Sequence, residues 1–213
     1  MAIEVEQKFS VSTDTRDKLV AIGATRKGCK SFTDIYYDTG DHSLTFQDFW
    51  LRKRDGSWQL KSPLKSYDSK PLTDKYKETE TEDEILEMLR ECGILSEGDC
   101  LLEQLLDANT LVAIAELTTR RETWLLSGPE IEGLSGGNVV LDSTNEGYEI
   151  GEVEVMVDTP TFASKAEEFV KDLATKIGNT SVAVPGGKLS FHLCKVNHSL
   201  WQQLIDRNVM RRP

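Results

Sequence analysis

The sequence has 213 residues, of which 38% are hydrophobic and 29% are charged, and its formal net charge is −11. These proportions are typical of a globular protein, and the length is enough for one sizeable core, so we expect a single domain over residues 1–213. The acidic balance argues against general affinity for nucleic acid or anionic membranes, but it leaves room for a local basic cluster that binds a small anionic molecule.

Neither a membrane protein nor a secreted protein is indicated. No stretch approaches the roughly 18 apolar residues of a membrane span, and the charged N-terminal segment does not resemble a signal peptide, so we expect a cytoplasmic protein without a membrane partner. The four cysteines form no C-x-x-C pair, which favours reduced thiols, with disulfides as the alternative. They are Cys29, Cys92, Cys100 and Cys194.

The first elements in chain order are a strand and a short helix. IEVEQKF (3–9) alternates between apolar residues and the charged residues Glu4, Glu6 and Lys8, which predicts a half-buried strand. DTRDKLVAIGA (14–24) has apolar residues at helical spacing and ends near a glycine, which is typical of a short helix.

A group of short strands comes next. FTDIYYD (32–38) has strand composition, and DFWLRKR (48–54) is joined to WQLKS (58–62) by Asp55 and Gly56, a strong hairpin signal. The two segments after the hairpin are a predicted loop over 63–72 and a predicted alternating strand over 73–80.

Two helices are predicted after these strands. Thr81 precedes Glu84 by three residues at the start of an apolar run, which is the pattern of a capping box, and Gly93 ends the helix. A second helix is predicted over 99–108.

The second half of the chain returns to strands and finishes with helices. TLVAIAELTTRRETWLL (110–126), VVLDS (139–143) and YEIGEVEVMV (148–157) are predicted strands, and LSGGN before the second of them is a predicted turn. TFASKAEEFVKDLATKIG (161–178) has one apolar face and predicts an amphipathic helix, and the chain from Lys188 onward is predicted to be helical.

This order of elements predicts the fold class. About eight strands at hairpin-like spacing, with helices between them, indicate an α+β protein that is mainly β, built on an antiparallel sheet that curls or closes. The apolar stripes of the helices need a partner, and the apolar faces of the strands supply it. The charged faces of the strands are then expected to point inward.

Alternation places the charged residues of each strand on one face, with carboxylates near both ends of the sheet sequence and cations in its middle. Any single pair is explained by a solvated surface, but the segregated pattern opposite apolar faces favours an interior site. Carboxylates suit a hard ion such as Mg²⁺, and arginines and lysines bind phosphate oxygens, so the pattern indicates a polyphosphate bound together with a metal.

Several motifs together resemble the CYTH superfamily, the triphosphate tunnel metalloenzymes. The opening strand resembles the Glu-x-Glu-x-Lys signature of that family, and the further motifs appear in the family's order over almost the whole chain. They are D-x-Y-Y-D-T (34–39), W-L-R-K-R (50–54), W-Q-L-K (58–61), Y-K-E (76–78), T-R-R (119–121), L-D (141–142), G-E-V-E (151–154) and P-G-G-K-L (185–189). The resemblance implies an eight-stranded antiparallel closed barrel whose interior is a tunnel for triphosphate.

The resemblance also implies roles for individual residues. Cations that would line the tunnel and hold phosphate oxygens are Lys8, Arg52, Arg54, Lys61, Arg121 and Lys188. Carboxylates that would hold one or two Mg²⁺ ions are Glu4, Glu6, Asp142, Glu152 and Glu154, with Glu78 nearby. Lys61 and Tyr36 would handle protons, and a lysine base would need its pKa lowered by neighbouring cations. Period-2 counting alone does not separate Tyr36 from Tyr37, and core packing is the alternative for both.

The activity implied by the resemblance is hydrolysis of a triphosphate by a monomeric enzyme. Thiamine triphosphate is the expected small-molecule substrate, because Trp50 beside the arginine face could stack on the cationic thiazolium ring, although packing into the barrel wall explains this tryptophan equally well. The alternatives are an inorganic triphosphatase, an adenylyl cyclase-like enzyme of the same family and a non-catalytic polyphosphate binder. Packing is the expectation for Trp58, Trp124 and Trp201.

Overall fold

The computed structural model describes residues 3–63, 74–95, 101–126, 134–157, 159–178 and 185–213. The strands are β1 (Ile3–Phe9), β2 (Thr25–Asp38), β3 (Trp50–Arg54), β4 (Ser57–Pro63), β5 (Asp74–Thr79), β6 (Val112–Leu125), β7 (Leu134–Thr144) and β8 (Glu149–Val157). The α-helices are α1 (Thr15–Ala21), α2 (Glu82–Glu91), α3 (Leu102–Asp107), α4 (Ala163–Ile177), α5 (Lys188–Val196) and α6 (His198–Asp206). Short 3-10 turns occupy Thr45–Gln47 and Pro160–Phe162.

The eight strands form a closed antiparallel barrel, in the order β1-β5-β4-β3-β2-β6-β7-β8. Closure pairs the first strand with the last, so that Glu6 lies opposite Glu154 and Lys8 lies opposite Glu152. The predicted fold class is therefore confirmed. Because the ring closes at this seam, the two groups of carboxylates that are far apart in the sequence become neighbours.

Two groups of helices cover the outer surface of the barrel. Helix α4 buries Ala166, Val170 and Ile177 in a cluster with apolar residues of β1 and β8. Helices α2 and α3 bury their leucines in a second cluster with Leu51 and Leu60. In β1, β3, β4 and β8, alternation thus gives each strand one face for a helix and one face for the barrel interior.

The C-terminal helices α5 and α6 occupy a different position. Their apolar residues, including Leu193 and Trp201, pack on Ala115 and Leu117 of β6. These two positions share the inward face of Arg121, which lines the central cavity. The last two helices therefore cover part of the barrel interior from the cavity side.

The hairpin between β3 and β4 has the predicted two-residue turn. Asp55 and Gly56 have φ values of 46° and 91°, and Arg54 pairs with Ser57 across the turn. Positive φ at both central positions is the type I′ geometry, which matches the twist of the flanking strands.

Three details of the fold differ from the sequence expectations. LSGGN was a predicted turn, but it lies within β7, where a register shift between Ser135 and Gly137 absorbs the glycines as a bulge. Strand β2 starts at Thr25, seven residues before the prediction, because it pairs with β6 along its length. Thr81 precedes α2 but makes no side-chain capping bond. The predicted loop lies outside the described residues from position 64 onward, and Cys100 lies outside them as well.

None of the helices in the described ranges is long and apolar enough to cross a bilayer. Cys29 and Cys194 are free thiols in this structure.

A substitution at Gly151 of β8 tests how tightly side chains pack where α4 covers the seam of the barrel. A Cβ atom at this position would lie 2.1 Å from the ring of Phe9, which is buried in the core. We expect Gly151→Ala to lower the free energy of unfolding by about 1–3 kcal/mol, measured by urea denaturation. Gly28→Ala is the matched control, because a Cβ atom there has nothing within 4 Å, and its expected effect is within about 0.5 kcal/mol. Equal effects of the two substitutions would contradict the packing argument.

Candidate functional site

The barrel encloses a cavity of about 400 Å³ that opens beside α5 and the C-terminal tail. With the exception of Asp142, every residue that the sequence singled out for substrate, metal or catalysis lines this cavity. Glu4 is only 9% exposed and Glu6 only 6% exposed, although both carry a charge-bearing side chain. A solvated strand face, the alternative for these residues, is therefore excluded.

Three carboxylates of the cavity form one group. Oxygen atoms of Glu4, Glu6 and Glu154 all lie within 4.8 Å of one another, across the seam between β1 and β8. Burial raises the pKa of Glu4, and burial together with nearby carboxylates outweighs Arg121 and raises the pKa of Glu154 to about 8. Glu6 differs, because Lys8 and Lys61 outweigh its burial and hold its pKa well below the usual range. Carboxylate oxygens grouped at this separation are the ligand type that a hard divalent cation binds.

Asp142 and Glu152, which are also predicted metal ligands, lie beside Arg121 and Lys188. Asp142 is buried, accepts two hydrogen bonds from Arg121 at 2.8 and 2.7 Å, and contacts Lys188. Glu152 lies 3.4 Å from Arg121 and 3.6 Å from Lys188. Burial alone would raise the pKa of Asp142, but Lys188 and Arg121 outweigh it and lower this pKa to about 2. Asp142 is therefore an anchor for two cations in this structure.

The arginines of β3 are held in the same way by the neighbouring strands. Arg54 makes a bidentate pair with Asp34 at 2.7 and 2.8 Å. Arg52 donates to Glu78 and to Gln59, each at 2.9 Å. Because each guanidinium is fixed by two hydrogen bonds, its direction in the cavity is set before any ligand arrives.

Lys61 has anionic surroundings. It contacts Glu4 and lies 3.5 Å from Glu6. Burial alone would lower the pKa of Lys61, but the carboxylates of Glu4, Glu6 and Glu78 outweigh it and hold this pKa well above its usual range. The lowered pKa that a lysine base would need is therefore not the one this structure gives Lys61, because its side chain reaches the carboxylates of β1.

The structure separates the two neighbouring tyrosines of β2. Tyr36 lines the cavity and hydrogen-bonds with Arg52, whereas Tyr37 packs against Trp58 on the outer side of the barrel with ring centroids 5.0 Å apart. Period-2 counting left this choice open, and the pairing of Tyr36 opposite Arg52 settles it.

Trp50 lies between the cavity and the core cluster outside it. Its ring lines the cavity and also packs against the cluster formed by α5 and α6, while its Nε1 donates to Asp48 at 2.9 Å. The ring is thus fixed in the wall with one side available to the cavity. Trp58, Trp124 and Trp201 are buried as expected.

Sequence reasoning missed several residues of the site. Asp34 and Gln59 share a face with Tyr36 and Lys61, so period-2 counting could have found them. The C-terminal residues Met210 and Arg211 also line the cavity, but the tail carries no periodic signal that would have placed them there.

The fold and the cavity define a class: a closed antiparallel barrel with a charged internal tunnel. A sequence model of the CYTH domain matches residues 2–182, and the chain belongs to the CYTH family. It is 33% identical to the thiamine-triphosphatase of Homo sapiens, over 98% of this chain and 92% of that protein. It is 32% identical to the thiamine-triphosphatase of Macaca fascicularis, over 97% and 90%.

The fold is also similar to a solved structure. The PH1819 protein from Pyrococcus horikoshii OT3 superposes with a TM-score of 0.53 at 19% identity, over 82% of this chain and 90% of that one. At this identity the likeness concerns the barrel architecture alone.

The role of Asp142 as an anchor gives a prediction for stability and its pH dependence. Asp142→Asn leaves Arg121 and Lys188 without their carboxylate, so we expect a loss of about 3 kcal/mol at pH 7. Because the folded protein holds this carboxyl at a pKa of about 2, below its ordinary 3.8, the stabilisation is complete above the ordinary value and disappears as the pH falls through about 2.

Urea denaturation at pH 7, 5 and 3 measures this difference. The gap between the wild type and Asp142→Asn should be smaller at pH 3 than at pH 5 or 7. Asp172→Asn is the control, because its ion pair with Lys176 is exposed on α4 and contributes about 0.5 kcal/mol or less. A gap that does not change with pH would contradict the assigned role.

Proposed function

We propose that the protein is a Mg²⁺-dependent hydrolase that converts thiamine triphosphate to thiamine diphosphate and phosphate. The observation that carries the proposal is the cavity itself, in which a group of three carboxylates faces a set of fixed cations. The names and the full-length similarity of the two mammalian relatives support the choice of substrate.

The cations of the cavity suit a triphosphate chain. Besides Arg211 of the tail, six lysines and arginines line this one cavity, and the arginines among these six are fixed in direction by bidentate or paired hydrogen bonds. They are Lys8, Arg52, Arg54, Lys61, Arg121 and Lys188. Guanidinium groups bind phosphate oxygens in a forked geometry, and ammonium groups bind them as point charges. A linear polyanion with several charges is the ligand that this set matches.

The metal belongs with the three grouped carboxylates. Glu4, Glu6 and Glu154 offer oxygen ligands, which Mg²⁺ prefers, and the raised pKa values of Glu4 and Glu154 favour a further positive charge beside these two carboxylates. When bound, Mg²⁺ supplies a divalent charge that neutralises phosphate oxygens. Glu78, Glu152 and Asp142, which the resemblance also implied as ligands, serve in this proposal to orient the arginines and Lys188.

The reaction is attack of water on the terminal phosphorus. A new P–O bond to water forms, the bridging P–O bond breaks, and the leaving thiamine diphosphate takes the bonding electron pair. The proton that the attacking water loses passes to the surrounding solvent. The fixed cations stabilise the charge that develops on the equatorial and leaving oxygens. Lys61 acts here as an ammonium group beside the leaving oxygen, and the Tyr36 hydroxyl positions Arg52 within the same space.

Recognition of the organic part involves Trp50. The thiazolium ring of thiamine is a cation, and the face of an indole ring attracts a cation within about 6 Å. Trp50 begins β3, the strand that carries Arg52 and Arg54, and lines the same cavity, so a triphosphate held by the arginines would place its ester end near this ring. Inorganic triphosphate lacks the ring and would lose this contact.

Phosphate release from thiamine triphosphate, inorganic triphosphate and ATP, each with Mg²⁺ and with EDTA, tests the proposed function. We expect thiamine triphosphate to give the highest kcat/KM, and EDTA to remove the activity because the carboxylate group then lacks its ion. Preference for inorganic triphosphate would agree with a triphosphate-binding tunnel but would contradict a binding site for thiamine. Binding without turnover of any of the three would favour a polyphosphate-binding protein.

Lys61→Ala tests the catalytic part of the proposal. We expect kcat to fall about 10²- to 10³-fold, because one preorganised positive charge at the reacting phosphate is removed. Binding of inorganic triphosphate, measured by calorimetry, should remain detectable. Lys53→Ala is the matched control, because Lys53 lies on the same hairpin but points outward to Glu103. An unchanged kcat in Lys61→Ala would contradict the proposed catalytic role of Lys61.

A further inference from the structure

The C-terminal tail after α6 returns to the cavity. Val209, Met210 and Arg211 line it, together with the segment Gly186–Ser190 at the start of α5. Tail and segment therefore form one continuous part of the wall, although about 20 residues of helical hairpin separate them in the chain.

Hydrogen bonds fasten the tail to this segment. The Gly186 N–H donates to the carbonyl of Arg212 at 2.7 Å, and the Ser190 hydroxyl donates to the carbonyl of Arg211 at 2.5 Å. The Trp201 indole N–H in turn donates to the Ser190 hydroxyl oxygen at 3.0 Å. Ser190 and Trp201 are each only 3% exposed, so water cannot replace these partners.

The chain just before α5 is held on its other side as well. The Tyr148 hydroxyl donates to the carbonyl of Gly186 at 2.6 Å. A Cβ atom at Gly186 would lie 2.4 Å from the carbonyl oxygen of Arg211. The close approach of the tail therefore depends on a glycine at this position.

Lys188 is the cation whose place depends on these contacts. It begins α5, two residues after Gly186, which Tyr148 and the tail hold, and two residues before Ser190. Its side chain crosses the cavity to contact Asp142 and lies 3.6 Å from Glu152. A shift of the first turn of α5 would move the Cα atom of Lys188 relative to the barrel strands.

We propose that Ser190 is a positioning residue for Lys188. Its hydroxyl joins the tail, the first turn of α5 and the indole of α6, and this junction sets where the Lys188 ammonium stands in the cavity. The inference rests on the proposed function, in which Lys188 holds phosphate oxygens. Ser190 itself makes no contact with the reacting atoms in this scheme.

A double-mutant cycle tests the proposal. Ser190→Ala should lower kcat/KM about 10- to 100-fold, the loss expected when a charge is misplaced by about 1 Å. In the Lys188→Ala background the same substitution should have little further effect, because the residue it positions is gone. Ser190→Thr, which keeps a hydroxyl, should recover most of the activity. The corresponding dissociation constants for inorganic triphosphate, measured by calorimetry, give a second readout that needs no turnover.

Controls separate positioning from stability. Ser199→Ala on the exposed start of α6 should leave kcat/KM unchanged. If Ser190→Ala lowers the yield of folded protein, Gly186→Ala takes its place in the cycle, because its Cβ atom displaces the tail at the same junction.

The possible outcomes distinguish the positioning role of Ser190 from the phosphate-binding role of Lys188. Additive effects of Ser190→Ala and Lys188→Ala, or an effect of Ser190→Ala no larger than that of Ser199→Ala, would overturn the positioning role alone. If Lys188→Ala changes neither turnover nor triphosphate binding, the assignment of Lys188 under the proposed function fails, and the role of Ser190 fails with it.

Discussion

The burial of charge inside a closed barrel is the constraint on which this structure depends. An unpaired ionised group is very costly away from water, so each inward side chain needs an opposite charge or a ligand. Strand pairing supplies the opposite charges: Asp34 faces Arg54 and Asp142 faces Arg121 across adjacent strands. At the β1–β8 seam Glu6 faces Glu154, and the cations Lys8 and Lys61 contact Glu6 and Glu4. Compensation within the protein thus fixes the cations, and the proposed metal would join the carboxylates at this seam.

The same pairing explains why the cavity is arranged before any substrate arrives. Guanidinium groups that are held by bidentate bonds have little freedom left to lose when phosphate binds. The helices add a second level of support, because they cover the apolar faces of β1, β3, β4 and β8 and prevent those faces from turning inward. The apolar layer between helices and barrel thus determines which strand faces point into the polar interior.

Most of the architecture could be predicted from local patterns. Alternation identified the inward faces of six strands, and the Asp55–Gly56 turn fixed the register of one hairpin. The rest depended on contacts between distant residues. Tyr36 and Tyr37 could be distinguished only by the partner strand, and the surroundings of Lys61 only by which carboxylates its side chain reaches. The glycines of LSGGN indicated a turn locally, but long pairing with β8 overrode them.

The seam between β1 and β8 has a consequence for the way the chain folds. Strands from opposite ends of the sequence must meet before the ring exists, and such non-local pairing is the slow part of folding in β proteins. During synthesis, Glu4 and Glu6 leave the ribosome long before Glu154, and Lys188 follows later still. One edge of β1 can pair with β5 early, but its other edge finds β8 only after residue 157 has been made. The closed ring and the complete set of inward charges, which includes Lys188, therefore form late in synthesis.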